Sequence, residues 1–144
     1  MRDEKNSTGT MGGCLCGAVR YEVSGPLRAV VNCHCGQCRH TSGHFVAATA
    51  VRPKAMTLIA SEGLRWYQSS DTARRGFCQN CGSSLFWEPV SGEKIVIMAG
   101  TLDGPTGLRT AAHIFVGDAG DYYEIDDDLP RFASGDHGVE IPDG

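Results

Sequence analysis

Seven cysteines lie in three tight clusters that are far apart in the chain. The clusters are Cys14-Leu-Cys16, Cys33-His-Cys35-Gly-Gln-Cys38 and Cys78-Gln-Asn-Cys81. Two thiolates one or two residues apart can turn toward a single ion, whereas a disulfide across so short a loop is strained. The odd count also leaves at least one thiol unpaired in any disulfide scheme. The spacing therefore predicts metal binding rather than a disulfide framework.

Two of the clusters predict a closed metal site. A β domain can bring the CxC pair beside a CxxC turn that follows more than sixty residues later. Cys14, Cys16, Cys78 and Cys81 would then surround one ion tetrahedrally. Four soft thiolates without room for a substrate are typical of structural zinc. Such a crosslink would contribute folding free energy directly in so small a domain.

The remaining cluster predicts a metal site with only three protein ligands. Cys33, Cys35 and Cys38 come from one six-residue loop, and three ligands with a free fourth position are the arrangement of catalytic zinc. Water, hydroxide or a substrate thiol could fill that position, and zinc would hold the thiol as a nucleophilic thiolate. Alternatively, a nearby histidine completes a structural site; the candidates are His34, His40 and His44. The sequence leaves both possibilities open.

The segments around the cysteines have the pattern of short strands. Val19, Tyr21 and Val23 alternate with polar residues, as in a half-buried strand over 17–23. We predict further strands at 27–32, 45–51, 56–59, 64–69, 84–88, 94–99 and 111–116. Short helical pieces are predicted only at 37–42 and 129–133. The fold class predicted is mainly β.

A thioredoxin-like role for the third cysteine cluster is disfavoured. It would need a CxxC at the start of a helix beside a βαβ unit. The flanking residues 75–77 and 82–84 instead predict turns between strands.

Length and charge indicate one domain that lacks the basic footprint of a non-specific nucleic-acid binder. The 144 residues predict a leader at 1–11 without structure, a zinc-binding domain at 12–133 and an acidic tail at 134–144. Residues 1–116 carry 12 basic and 8 acidic side chains, whereas residues 117–144 carry 1 and 9. Such an acidic end repels nucleic acid and anionic membranes. Without an apolar run of membrane-spanning length or a signal-peptide pattern, we expect a cytoplasmic protein.

The cysteine motifs with their neighbours resemble the glutathione-dependent formaldehyde-activating enzyme family, which also includes centromere protein V. The resemblance rests on Gly13-Cys14-Leu-Cys16-Gly17, Cys33-His-Cys35-Gly-Gln-Cys38-Arg39 and Phe77-Cys78-Gln-Asn-Cys81-Gly82, with Gly100-Thr-Leu-Asp103 and His113-Ile-Phe-Val116 further on. It implies a β-tent fold of antiparallel sheets organised around two zinc sites. Cys14, Cys16, Cys78 and Cys81 correspond to the structural site, and Cys33, Cys35 and Cys38 to the catalytic site. The second zinc is either permanent or arrives with substrate.

The family activity implied is a reversible carbon–sulfur lyase reaction that joins glutathione and formaldehyde. In this hypothesis the sulfur of a zinc-held thiol attacks a carbonyl carbon, and the alkoxide takes a proton from a histidine. The candidate donors are His34, His40, His44 and His113, although His113 on a predicted strand is more often structural. Cations for an anionic thiol could come from Arg39, Arg74 and Arg75, which lie beside the cysteine motifs.

Aromatic residues and interaction surfaces receive plainer interpretations. Core packing is the default for Trp66, Tyr67, Phe86 and Trp87, while Tyr122 and Tyr123 either cover the pocket or anchor the tail. The alternative function is a zinc module without catalysis that binds a protein or nucleic acid. A homodimer is also conceivable, because edge strands of small β domains often pair.

Overall fold

Ten short strands and one helix carry the chain in the computed structural model, which describes residues 9–143. The strands are β1 Thr10–Gly13, β2 Arg20–Val23, β3 Val30–Cys33, β4 Val46–Val51, β5 Met56–Ala60, β6 Leu64–Ser70, β7 Ala73–Cys78, β8 Ser84–Pro89, β9 Ile95–Met98 and β10 Thr110–Ile114. The helix α1 is Gly36–Ser42, and single 3₁₀ turns occupy Pro53–Ala55, Ala99–Thr101 and Val116–Asp118.

The strands form two sheets. The larger has seven strands in the order β10-β3-β4-β9-β8-β7-β6, and the smaller has three in the order β1-β2-β5. All neighbours are antiparallel except β10 and β3, which run parallel. The mainly β prediction is confirmed, although the larger sheet is mixed rather than antiparallel throughout. A parallel neighbour needs a long connection, and more than seventy residues separate β3 from β10.

The larger sheet uses its two faces differently. Successive strand side chains point to opposite faces, so Ile95 and Ile97 of β9 pack in the main core while Val96 and Met98 line the other side. The main core lies between the two sheets and contains Tyr21 together with Leu85 and Phe86 of β8. The opposite face carries a small apolar cluster around Cys38 and is the side on which the pocket opens.

Most predicted elements are confirmed, and three are corrected. Helix α1 lies where 37–42 was predicted, and a strand lies in each predicted strand segment. Residues 75–77 were predicted as a turn but belong to strand β7. The neighbouring Arg74 has a partner on the sheet, because it pairs with Glu88. The predicted helix at 129–133 is absent; Pro130 interrupts it, and Phe132 instead bonds to the backbone of β10.

The third correction concerns the predicted leader. Thr10 and Met11 belong to β1, where they pair with Val23 and Glu22 of β2. The smaller sheet therefore extends into the segment predicted as a leader. Residues 1–8 of that leader lie outside the described residues. No helix among residues 9–143 is long and apolar enough to cross a membrane.

Candidate metal centres and pocket

The first cysteine group joins the end of β1 to the turn after β7. The sulfurs of Cys14, Cys16, Cys78 and Cys81 all lie within 4.8 Å of one another. The Sγ atoms of Cys14 and Cys16 are 3.7 Å apart, and those of Cys16 and Cys78 are 3.8 Å apart. Four sulfurs placed tetrahedrally at about 2.3 Å from zinc would be separated by about 3.8 Å. The four residues therefore fit a tetrahedral metal ion.

Backbone N–H groups and a serine hydroxyl donate hydrogen bonds to sulfurs of this group and stabilise their thiolate form. The N–H of Val19 donates to the sulfur of Cys14 over 3.2 Å. Ser83 Oγ accepts from the N–H of Leu15 and lies 3.2 Å from the Cys81 sulfur, to which its hydroxyl can donate. Hydrogen bonds from the Ser83 hydroxyl and N–H lower the pKa of Cys81 to about 5. The negative form of the sulfur, which is the metal ligand, is thus favoured.

The second group lies where β3 passes into α1. Cys33 is the last residue of β3, Cys35 caps the N-terminus of the helix, and Cys38 lies in its first turn. Their three sulfurs are within 4.8 Å of one another. The N–H of Cys38 donates to the Cys35 sulfur over 3.3 Å. Three ligands therefore come from a six-residue stretch whose geometry is fixed by the start of a helix.

Charge in this second group is concentrated on one sulfur. A hydrogen bond from Cys33 lowers the pKa of Cys38 to about 6, and the guanidinium of Arg75 acts in the same direction. Arg75 Nη2 lies 4.0 Å from the Cys38 sulfur. The same hydrogen bond, together with burial, raises the pKa of Cys33 well above its usual range. The ionised form of the Cys38 sulfur is therefore favoured.

No histidine of the described chain belongs to the second group. His34 is bonded to the hydroxyl of Tyr123, and His44 lies 2.8 Å from the hydroxyl of Tyr122. His40 Nδ1 is 2.9 Å from a carbonyl oxygen of its own helix. The three histidines considered as a fourth ligand are thus occupied elsewhere, and the group offers three sulfurs.

A cavity of about 400 Å³ opens beside the second group, and its wall includes all three of its cysteines. The apolar part of the wall is built from Val31, Val46, Ala48, Trp87, Val96, Met98, Ile114 and Phe115. Its basic side chains are Arg28, Arg75, Lys94 and His137, and no aspartate or glutamate lines it among the described residues. The pocket therefore combines thiols, an apolar wall and positive charge, which suits an anionic ligand.

Arg28 is the least expected of these basic side chains. It is 5% exposed, and its guanidinium donates to the carbonyl oxygens of Ala29 and Ala48 over 3.2 and 3.0 Å. No carboxylate of the described residues pairs with it. Burial lowers its pKa to about 10. A buried cation is costly without a counter-charge, so Arg28 is placed to gain from an anion in the pocket.

The structure separates the arginines that the sequence suggested. Arg75 lines the pocket, whereas Arg74 pairs with Glu88 at 2.7 Å and lies over the ring of Trp66. Arg39 donates to the carbonyl oxygen of Asp118 over 2.9 Å, away from the pocket wall. Only Arg75 of the three is therefore at the site.

Sequence reasoning missed three of the four basic residues in the pocket: Arg28, Lys94 and His137. A signal was present for Arg28, because it is a charged residue within the otherwise apolar run from Leu27 to Val31. His137 lies in the segment predicted as a tail, and the contacts that bring it to the pocket are too long-range to be visible in the sequence.

The aromatic residues divide in the same way. Phe86 is buried in the core and Trp66 stacks on it at 6.1 Å, as predicted. Trp87 instead lines the pocket, and Tyr67 is 63% exposed. Tyr122 and Tyr123 bond to His44 and His34, so they anchor the C-terminal segment rather than cover the pocket. His113, the fourth histidine considered as a proton donor, is buried and does not line the pocket.

Comparison with known proteins identifies the family. Residues 9–118 match the family model of the glutathione-dependent formaldehyde-activating enzyme. The chain belongs to this family. The resemblance drawn from the cysteine motifs is thereby confirmed, and all seven cysteines lie within the matched residues.

Two similar proteins and one solved structure each align with two thirds or more of the chain. A protein of Halomonas elongata named as a candidate glutathione-dependent formaldehyde-activating enzyme is 30% identical over 125 residues, which is 80% of each chain. An uncharacterized lyase of Schizosaccharomyces pombe is 28% identical over 116 residues, covering 79% of this chain and 83% of its own. A crystal structure of a Rhodobacter sphaeroides protein superimposes with a TM-score of 0.56 at 29% identity, covering 67% of this chain and 91% of that one.

Proposed function

We propose that this protein is a carbon–sulfur lyase-type enzyme that adds a thiol to a small aldehyde, and catalyses the reverse reaction. Glutathione and formaldehyde are the pair that the family name suggests. The observation that carries the proposal is the second cysteine group, which presents three sulfurs and no described fourth ligand to a pocket large enough for a small molecule. The non-catalytic alternative gives this pocket no use.

We further propose zinc for both cysteine groups. The sulfur separations of the first group match a tetrahedral zinc site, which supports a structural ion there. The second group offers the three-ligand set of catalytic zinc. When bound by Cys33, Cys35 and Cys38, zinc supplies the positive charge that keeps a substrate thiol ionised at neutral pH.

The pocket walls would orient the thiol. Arg28, Arg75 and Lys94 surround the space beside the cysteines and can receive the carboxylates of a glutathione-like molecule. The buried guanidinium of Arg28 is already held by two carbonyl oxygens, so binding an anion costs it little side-chain entropy. Positive charge thus selects an anionic thiol and orients its sulfur toward the cysteine wall.

His137 is the proton donor that we propose. As the sulfur–carbon bond forms, the carbonyl π pair moves to oxygen, and that oxygen takes one proton. The N–H of Val139 donates to His137 Nδ1 over 2.9 Å, so the proton of the neutral ring is on Nε2. His137 also lines the pocket, unlike the four histidines considered from the sequence. The Nε2 proton passes to that oxygen as water returns a proton to the imidazolate, and the hydroxide so formed is neutralised by the proton that the thiol released on ionisation.

The test is the exchange rate between hydrated formaldehyde and its glutathione adduct, measured by NMR in the presence of enzyme. Cys35→Ser should reduce this rate to the uncatalysed one while the circular dichroism spectrum stays native. His137→Gln should lower turnover by about 100-fold or more, whereas His40→Gln, at an exposed helical position outside the pocket, should not. Full activity in Cys35→Ser would contradict the proposed function.

A further inference from the structure

A chain of buried hydrogen bonds runs from the C-terminal segment to the loop that carries the second cysteine group. His34 Nδ1 is bonded to the hydroxyl of Tyr123, and His34 Nε2 lies 3.0 Å from His113 Nδ1. His113 Nε2 in turn lies 2.9 Å from a carboxylate oxygen of Asp127. His34 is 0% and His113 4% exposed, so the two imidazoles depend for hydrogen-bond partners on each other and on Tyr123 and Asp127.

The carboxylate sets the direction of the whole chain. Asp127 can only accept when ionised, so His113 donates from Nε2, and with a single proton on its ring it accepts at Nδ1. His34 must then donate from Nε2 and accept at Nδ1 from the hydroxyl of Tyr123. Every ring nitrogen has one partner, and a change at either end leaves a buried polar group unsatisfied.

This chain is attached at a sensitive place. His34 lies between Cys33 and Cys35, and its own N–H donates to the carbonyl oxygen of Ile114 over 3.0 Å. Backbone and side chain of His34 are therefore both tied. The angle at which the two neighbouring cysteines present their sulfurs follows from how that one residue is held.

The far end of the chain comes from a segment outside the residues that match the family model. Asp127 accepts a further hydrogen bond from the N–H of Leu129 over 3.0 Å. Arg131 donates to the carbonyl oxygens of Ile125 and Asp127 over 2.7 and 2.8 Å. Hydrogen bonds from Leu129 and Arg131 thus hold the turn that carries Asp127, so its carboxylate has a fixed position beside His113.

We propose that Tyr123, His113 and Asp127 are positioning residues for the three-cysteine site: by fixing His34 they set the geometry of Cys33 and Cys35 and keep the imidazole of His34 away from the metal. This rests on the proposed function, in that the three sulfurs hold a metal ion. Partners that orient metal-ligating residues typically change metal affinity by about 10- to 100-fold when removed. Here the oriented unit is the residue between two ligands.

The test measures metal binding by each cysteine group separately. Cobalt is titrated into the metal-free full chain, and zinc is then competed with a chromophoric chelator; Cys38→Ser supplies the spectrum of the four-cysteine group alone. Tyr123→Phe and Asp127→Ala should each weaken binding at the three-cysteine group by about tenfold and shift its cobalt absorption. Binding at the four-cysteine group should not change.

Tyr122→Phe is the matched control, because it removes the same atom from the neighbouring residue, whose partner His44 is not flanked by cysteines. Asp127→Asn keeps an acceptor oxygen for His113 and should restore most of the affinity that Asp127→Ala loses. The double variant of Tyr123→Phe with Asp127→Ala should lose less than the sum of the two single losses, because one chain connects them.

The inference is overturned if the wild type loads both groups but Tyr123→Phe and Asp127→Ala behave as Tyr122→Phe does. Additive losses in the double variant would also overturn it, since they would show two independent anchors of the C-terminal segment. A wild type that loads only the four-cysteine group, even with glutathione present, would refute the proposed function as well, and so is distinguishable from failure of the positioning role alone.

Discussion

Tyr21 shows how a single buried side chain couples the core to pH. It is fully buried between the sheets, and burial raises the pKa of its hydroxyl to about 12. Its oxygen lies 2.7 Å from Thr101 Oγ1, which itself donates to the carbonyl oxygen of Met98. The Tyr21 hydroxyl therefore donates to Thr101 and has to keep its proton in the folded state.

The expected consequence is an alkaline loss of stability that belongs to this residue. Between pH 10 and pH 12 the unfolded state releases the Tyr21 proton while the folded state retains it, so the free energy of unfolding falls by about 3 kcal/mol as pH rises through this range. Tyr21→Phe should remove that slope in denaturant unfolding. Tyr67→Phe, at an exposed position, should keep it. An unchanged slope in Tyr21→Phe would refute the assignment.

Arg28 gives a second prediction at this scale, on substrate choice. Arg28→Met should raise the KM for glutathione by about tenfold or more, because a charge-assisted hydrogen bond is worth about 1.5–3 kcal/mol. The KM for a small thiol without carboxylates, such as 2-mercaptoethanol, should stay the same in the same exchange assay. Arg39→Met is the control, since Arg39 lies outside the pocket wall. Equal changes in the KM of both thiols would show that Arg28 does not bind the carboxylates of glutathione.

Which residues could be predicted from the sequence depended on how local their signal is. The cysteines can be recognised in the sequence because one or two residues separate neighbours within each motif, and both groups assemble as predicted. Arg28 has only the weak signal of a charge within an apolar run, and His137 reaches the pocket through the fold alone, without a hint from its neighbours in sequence. The four histidines that seemed suited to catalysis by position turn out to be bonded elsewhere or outside the pocket.

At the scale of elements, β1 packs so closely against its neighbour that one position admits no side chain. Gly12 pairs with Tyr21 in the smaller sheet. A Cβ placed on Gly12 would contact the Tyr21 hydroxyl too closely and would lie 2.6 Å from the carbonyl oxygen of Thr101. Backbone cannot yield as a flexible side chain can, so the close approach fixes how β1 sits on the Ala99–Thr101 turn.

Gly12→Ala should therefore destabilise the fold, by about 1–3 kcal/mol as overpacked positions do. Because β1 leads directly into Cys14, the variant should also weaken zinc at the four-cysteine group. The measurements are urea unfolding and chelator competition. Gly100→Ala is the matched control, because a Cβ there meets nothing within 4 Å. Equal stability of the two variants would show that β1 can shift without cost.

The elements that the sequence failed to predict have a common cause. Strand β7 carries Arg74, Arg75 and Gly76, a run that lacks the apolar alternation of a strand and becomes one only because β6 and β8 pair with it on both sides. Strand β1 is four residues long and is stabilised by β2. Short elements whose stability comes from tertiary pairing leave little periodicity to detect.

At the scale of the whole molecule, the acidic C-terminal segment packs against the body of the protein and contributes residues to the pocket, whereas the sequence predicted a tail. Asp127 supports His113, and Gly135 and His137 line the pocket. The bond between His34 and Tyr123 spans 89 residues of sequence. The charge count separates this segment from the basic body of the chain, but no local sequence pattern indicates that the segment reaches the pocket.

In the function proposed above, the three-cysteine group holds a metal ion that a substrate thiol can join. The most direct measurement is the absorption spectrum of the cobalt-loaded protein during titration with glutathione. We expect two cobalt ions per chain and a new sulfur-to-cobalt band that saturates with glutathione and is absent from Cys38→Ser. Two bound cobalt ions with a spectrum that glutathione leaves unchanged would contradict it.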